Sequence, residues 1–286
     1  MKELVILSGK GGTGKTTVCA GLAALLPGPK VLVDADVEAA NLALVVEARV
    51  RKRQSFWAGY TPHKDEDRCS GCGTCREKCR FEAVREDLTI DPFLCEGCGV
   101  CAWFCPEGAI EMREKEVGQI FVSETPYGPL VHAEILPGEE NSGKLVAEVK
   151  KRARDLAPAA SFILVDGPPG IGCPVIASLS GADAVLVVAE PTAAGLHDLG
   201  RLVALLHHFK LPGYLVVNKA DLNPEITEKL LAYPGLSPLG ELPFDEAVAS
   251  ALRKLRPLPL VSHGPAAQAL KALALKVQKN ILGGLT

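Results

Sequence analysis

Two runs of cysteine share one spacing. CSGCGTCREKCR starts at Cys69, CEGCGVCAWFCP starts at Cys95, and both read C-x₂-C-x₂-C-x₃-C. Three cysteines at this pitch can wrap three corners of a [4Fe–4S] cube, while the fourth is too displaced to join them and ligates a second cube. The spacing therefore groups Cys69, Cys72, Cys75 and Cys105 for one cluster, and Cys95, Cys98, Cys101 and Cys79 for the other. Gly71, Gly73, Gly97 and Gly99 lie between ligands and permit tight turns whose N–H groups can face sulfur. Zinc is the competing reading, although zinc sites usually pair two CxxC knuckles rather than triple runs. Disulfides are a third reading, and a weaker one in a reducing compartment.

The two runs are halves of one repeat. Residues 69–84 and 95–110 match at a 26-residue offset in all four cysteines, two glycines, an alanine and an apolar end. Two copies do not make a solenoid, so they read as a small two-fold module. One position departs from the pattern: Pro106 follows Cys105, whereas Arg80 follows Cys79. Arg80 puts a cation near the second cluster, which would raise its potential.

A second chemistry opens the chain. GKGGTGKT (9–16) fits G-x-x-x-x-G-K-[ST], with the apolar run ELVILS before it and a helical pattern after it. Gly9, Gly11, Gly12 and Gly14, with Thr13 among them, let the backbone curl so that N–H groups point at phosphate oxygens. Lys15 would reach the β- and γ-phosphates, and Thr16 would ligate Mg²⁺ with Thr17 beside it.

The elements that must position these residues alternate. Buried strands are expected at 3–8, 30–36, 162–170, 184–192 and 213–221, each ending in a polar or glycine-rich loop. Helices are expected over 16–26, 142–156, 195–208, 224–232 and 265–281. This pattern predicts an α/β fold with a mostly parallel sheet flanked by helices, binding its ligand at the carboxyl ends of the strands. From Arg51 the composition shifts, and α/β patterning resumes near Gln119. The chain thus divides into 1–54 and 119–286, two parts of one P-loop domain, and an inserted small α+β module at 55–118.

Of the 286 residues, 48% are apolar and 23% charged, an ordinary globular composition. A net charge of −3 gives no reason to expect nucleic acid or anionic lipid as a bulk partner. No apolar run reaches the 18 or more residues of a membrane span. The N-terminus runs directly into the glycine-rich loop without a signal-peptide cleavage site, so the expected location is the cytoplasm.

Lys10, directly after the first glycine, carries a resemblance. GKGGTGKTT resembles the deviant P-loop of the MinD, Mrp and nitrogenase iron protein group. The resemblance implies a homodimer with ATP at its interface and Lys10 reaching the partner's nucleotide. VDADVEAANL (33–42) resembles switch I, so Asp36 would orient the attacking water, with Asp34 two residues earlier as a second carboxylate or a loop cap. DGPPG (166–170) resembles Walker B and switch II, which implies that Asp166 holds Mg²⁺ through water and Gly170 senses the γ-phosphate. VVNKAD resembles the adenine-side loop, so Asn218 would bond the base. Asp221 in the same stretch reads equally well as a turn residue, and its echo of the GTPase NKxD loop keeps GTP as an alternative. The module resembles a bacterial two-cluster ferredoxin.

Together these features imply an ATPase that couples dimer closure to electron transfer through two [4Fe–4S] clusters, toward an unidentified redox partner. Two alternatives stay open: an assembly or carrier factor for iron–sulfur clusters or another metallocofactor, and a MinD-like positioning ATPase with structural clusters. The CxxC that Mrp-type proteins carry near the C-terminus is missing here, which weighs against the carrier. Cys19 is expected to be buried packing. Cys173 is expected to be buried too, its alternative being a third metal site with His132 in a roughly matching region. Leu270, Leu273, Val277 and Ile281 form one stripe of the last helix, read as docking on its own domain rather than on a membrane. Arg51–Arg53 reads as a solvated linker, and His207 and His208 as the end of a helix.

Overall fold

The computed structural model describes residues 1–139, 141–156 and 158–283. Along the chain run β1 (Lys2–Ser8), α1 (Lys15–Leu25), β2 (Lys30–Asp34), α2 (Leu42–Val45), β3 (Arg49–Lys64), α3 (Thr74–Lys78), α4 (Val100–Trp103), β4 (Ile110–Thr125) and β5 (Gly128–Ile135). There follow α5 (Ser142–Asp155), β6 (Phe162–Pro169), α6 (Cys173–Leu179), β7 (Ala184–Ala189), α7 (Ala193–Phe209), β8 (Gly213–Asn218), α8 (Pro224–Leu231), β9 (Ser237–Leu242), α9 (Ala247–Arg253), α10 (Leu258–Val261) and α11 (Pro265–Asn280).

The strands form a nine-stranded sheet in the order β3-β4-β5-β2-β6-β1-β7-β8-β9. From β5 across to β9 every neighbouring pair is parallel. The central strands are apolar from end to end because helices cover the sheet: Leu4–Leu7, Val31–Val33 and Val185–Val188 are all buried. This is the α/β fold with a mostly parallel sheet that the alternating pattern predicts.

Contacts divide the chain into two units. One comprises residues 1–54, 120–134 and 142–286; the other comprises 55–119 and 135–141. The short return segment 135–141 was not legible as part of the module. Nor were β3 and β4, whose polar, charge-rich sequences hide two 16-residue strands. The basic run is therefore not a linker: Arg51 lies in β3 and pairs with Glu124 at 2.6 Å, while Arg53 lies over the Phe121 ring at 5.6 Å.

The C-terminal stripe docks on its own domain. Leu270, Leu273, Val277 and Ile281 all enter an apolar core shared with α1 and the sheet. Close approach is needed there, since a Cβ on Gly21 of α1 would lie 2.2 Å from Leu270. Cys19 is buried in the same core, as expected. Among the described residues no helix is long and apolar enough to cross a membrane.

A buried ion cluster clips β1 to α5. Glu3 pairs with Lys150 Nζ at 2.6 Å and with Arg154 Nη2 at 2.9 Å, and Glu3 and Lys150 both lie out of solvent. Lys150 also donates to the carbonyls of Ser178 and Ser180, at the end of α6. Removing the carboxylate strands a buried ammonium, which typically costs about 3–5 kcal/mol. Glu3→Gln is expected to lose stability of that order in urea unfolding, and the joint change Glu3→Leu with Lys150→Met much less. Equal losses for the two would show that packing, not charge, holds the clip.

His132 on β5 is buried, its ring stacked on Phe121 and its Nε2 3.0 Å from Ser123 Oγ. Burial lowers its pKa to about 4. The folded ring stays neutral while the unfolded ring, with an ordinary value near 6.5, takes up a proton. Stability from this group is therefore complete above about pH 6.5 and is lost as pH falls toward 4, by about 3 kcal/mol in all. In denaturant unfolding at pH 7.5 and pH 4.5, wild type is expected to lose about that much more than His132→Gln. Parallel losses would refute the assignment.

Candidate functional site

The phosphate loop bridges β1 and α1. Gly12 (φ +78°) and Gly14 (φ +92°) adopt the left-handed conformation that turns the chain from strand into helix. Nothing lies within 4 Å of where a Cβ would stand on Gly11 or Gly12, which leaves the cradle open. The opposite is true of Gly9 and Gly14, where a Cβ would meet Asp198 at 2.3 Å and Asn218 at 2.5 Å. Thr13 and Lys15 are buried, while Thr16 and Thr17 begin α1 half-buried.

Three carboxylates gather at the neighbouring strand ends. Parallel pairing of β2 and β6 sets Asp34 directly beside Asp166, both out of solvent. Burial raises the pKa of both, and the two repel one another. Asp166 is pushed up to about 6 by burial, against the pull of Thr16 and Lys15. Its Oδ1 is buried without a hydrogen-bond partner. Asp36 is raised by burial as well, and Lys15 again opposes the shift. Asp34 is spent on the backbone: it accepts the N–H of Asp36 at 3.1 Å and of Leu42 at 2.9 Å. It caps the 36–42 loop, one of the two roles the sequence left open.

Lys10 does not extend freely. Its Nζ lies 3.3 Å from Glu190 Oε2, at the end of β7, and Lys219 holds the other oxygen of Glu190. Burial would raise the pKa of Glu190, but the bonds and charges of Lys219 and Lys10 together hold it below its usual value. Gly170 is left-handed (φ +84°), and its N–H donates to the Ser8 carbonyl at 2.9 Å.

On the other side of the loop, Asn218 donates to the Thr13 carbonyl at 2.8 Å. It also lines a cavity with Lys219, Pro243, Phe244, Val248 and Arg253. Sequence reasoning missed this apolar wall, whose signal was the run ELPF that ends β9 and leaves it. Asp221 accepts the Phe244 N–H at 2.7 Å and so fixes the wall rather than facing the cavity.

In the second unit the two repeats fold alike. Gly73 and Gly99 are left-handed N-caps of α3 and α4, and Gly71 and Gly97 are left-handed before them. The short helices turn the fourth cysteine of each run away from its first three. The outcome is two hollows. Cys69, Cys72, Cys75 and Cys105 line one. Cys95, Cys98, Cys101 and Cys79 line the other. All eight cysteines sit in the groups that spacing assigned. Among the described residues no three His, Cys, Asp or Glu side chains converge closely enough to hold a single metal ion. Arg80 does not line a hollow; its guanidinium stacks over Phe81 at 4.8 Å.

Cys173 is exposed at the start of α6, which corrects the expectation that it is buried. His132, in the core between Ser123 and Phe121, is not available to share a metal with it.

Comparison with known proteins agrees with this geometry. Residues 4–258 match the family model of the CobQ/CobB/MinD/ParA nucleotide binding domain. An uncharacterized protein of Methanocaldococcus jannaschii is 33% identical over 77% of this chain and 79% of its own length. The iron-sulfur cluster carrier protein of Pyrococcus horikoshii is 26% identical over 98% of this chain and 86% of its own. Among solved structures, the septum site-determining protein MinD of Pyrococcus horikoshii, complexed with Mg-ADP, superposes with a TM-score of 0.63 at 20% identity, covering 99% of both chains. A glycine loop cradled between β1 and α1, paired carboxylates at the ends of β2 and β6, and a family match across both place this chain in the CobQ/CobB/MinD/ParA family of P-loop nucleotide-binding proteins.

Proposed function

We propose that this chain is a dimer-forming ATPase whose second unit retains two [4Fe–4S] clusters and passes electrons to a protein partner when ATP closes the dimer. The observation that carries the cluster half is the grouping of cysteines. Each hollow is walled by four thiols, three from one repeat and one from the other. Thiols around a hollow suit a body with metal at several corners better than a single tetrahedral ion, whose ligands must converge. Cys69, Cys72, Cys75 and Cys105 would hold one cluster, and Cys95, Cys98, Cys101 and Cys79 the other. When bound, each would supply a one-electron carrier.

For the ATP half, the fit rests on the open cradle and on Asp166. The unpartnered Oδ1 of Asp166 is a buried acceptor suited to a cation's water shell. Thr16 and Asp166 would hold Mg²⁺, which would draw charge from the phosphoryl oxygens. Lys15, nearly buried, offers its charge where a polyphosphate would sit. Asp36, held by the loop that Asp34 caps, would orient water for in-line attack. Asn218 and the Phe244 wall would receive the base. Lys10 would leave Glu190 for the partner's nucleotide, so that turnover depends on dimerisation.

A second reading has its own support. Relatives at 26% identity are iron-sulfur cluster carrier proteins, which favours clusters handled as cargo. Enclosure by four thiols favours retention instead.

Anaerobically purified chain is expected to hold about eight iron and eight sulfide. ATP turnover per chain should rise with protein concentration and then saturate. Lys10→Ala should abolish that rise, and Lys15→Ala should lower turnover by about 100-fold or more. Zinc in place of iron, or turnover independent of concentration, would sink the corresponding half. Incubation with an apo-acceptor separates cargo from carrier of electrons: clusters that remain after several ATP turnovers support the redox role, and clusters that leave support the carrier.

A further inference from the structure

The repeat extends beyond the cysteines. Every residue that lines the first hollow has its counterpart, 26 positions away, lining the second. The hollows are therefore two copies of one site, and differences between them can be read position by position. The backbone is matched: Gly73 corresponds to Gly99 and Ala109 to Ala83. The side chains are not. Lys64 of the first hollow corresponds to Ile90 of the second, Thr74 to Val100, and Glu107 to Phe81.

Two of these differences act on the thiols. The Cys72 thiol donates to Thr74 Oγ1 at 3.4 Å, and with the sulfur ligated as thiolate the same hydroxyl would donate to it. Val100 has the same shape with a methyl in place of the hydroxyl, so it cannot. Lys64 brings a cation to the first hollow with its side chain only 10% exposed, where solvent screens little. Its partner Glu66, 3.1 Å away, is 73% exposed and heavily screened. The other charges are on the surface. Exposed Glu107 lines the first hollow and exposed Glu96 the second, and they offset one another. Arg68, bonded to the Glu107 carbonyl, flanks the first, and Arg80 flanks the second behind the Phe81 ring. What remains is one sheltered cation and the hydroxyls of Thr74 and Ser70, the latter also bonded to Cys72, all on the first hollow. Each stabilises added negative charge there.

We infer that the two sites are unequal: an electron rests preferentially on the site of Cys69, Cys72, Cys75 and Cys105, and Lys64 and Thr74 set the difference. This rests on the cluster reading above. It reverses the expectation from Arg80, which pointed to the second site as the higher in potential. It also gives the module a direction. An electron delivered to either site by a one-electron donor of low potential would settle on the first.

The test is an anaerobic titration of the whole chain with dithionite and mediators, followed by electron paramagnetic resonance. Wild type is expected to reduce in two separate one-electron steps. Lys64→Ile and Thr74→Val should each move only the higher step, to lower potential. Val100→Thr should move only the lower step, to higher potential, and it keeps the test decisive if Lys64→Ile loses its iron. Coincident steps in wild type, or steps that none of the three variants moves while iron content is full, would overturn the inference. A wild-type chain with no iron would overturn the cluster reading itself.

Discussion

The pairing of β2 with β6 sets two carboxylates side by side inside the protein, and the rest of the nucleotide site is arranged around that constraint. Ionised Asp34 and Asp166 cannot both be buried cheaply, because desolvation costs several kcal/mol for each and they repel one another. The fold resolves the conflict differently for each. Asp34 is satisfied by the N–H groups of Asp36 and Leu42, and so fixes the path of the loop that carries Asp36. Asp166 keeps an unsatisfied oxygen, and Lys15 supplies the compensating field. A site whose charges do not balance internally is poised to take up a cation and an anion together.

How much of this was legible in the sequence depended on where the physical signal lay. The central strands were legible because burial on both faces makes them continuously apolar. The phosphate loop was legible because only glycine takes the left-handed turns at 12 and 14. The strands β3 and β4 were not, because their sequences are rich in Lys, Arg and Glu and carry no apolar run or clean alternation. The wall formed by Pro243 and Phe244 was missed for another reason. It is a contact between a strand end and a loop far along the chain, and nothing in ELPF by itself says what it faces. The exposure of Cys173 is similar, since a lone cysteine is usually buried and sequence gives no local reason to depart from that.

The cysteine grouping was legible in full, and for a covalent reason. A run with x₂, x₂ and x₃ gaps brings three thiols onto one turn and throws the fourth onto the next. Each half of the repeat therefore holds three walls of its own hollow and one wall of its neighbour's. Neither half is complete alone; on the proposed reading, bound clusters would tie the two together beyond what the small apolar cluster around Cys75, Val84 and Ile110 supplies. Duplication also frees the side chains. Once the backbone guarantees two equivalent hollows, substitutions such as Thr for Val alter one site without disturbing the other.

On the proposed reading Lys10 raises the converse question, of how a residue that must reach the partner's nucleotide is kept from being lost to a local partner. Its contact with Glu190 is part-exposed, and exposed pairs contribute only about 0–1 kcal/mol. Glu190 is also shared, since Lys219 holds its other oxygen. If Lys10 departs, Glu190 retains a cation and is not stranded as a buried unpaired charge, the situation that makes breaking most partly buried pairs expensive. A polyphosphate offers Lys10 several negative charges where Glu190 offers part of one. On the proposed reading, the second lysine on Glu190 is what makes Lys10 transferable: it keeps the carboxylate satisfied in both arrangements, so the exchange costs little beyond the ordering of one side chain.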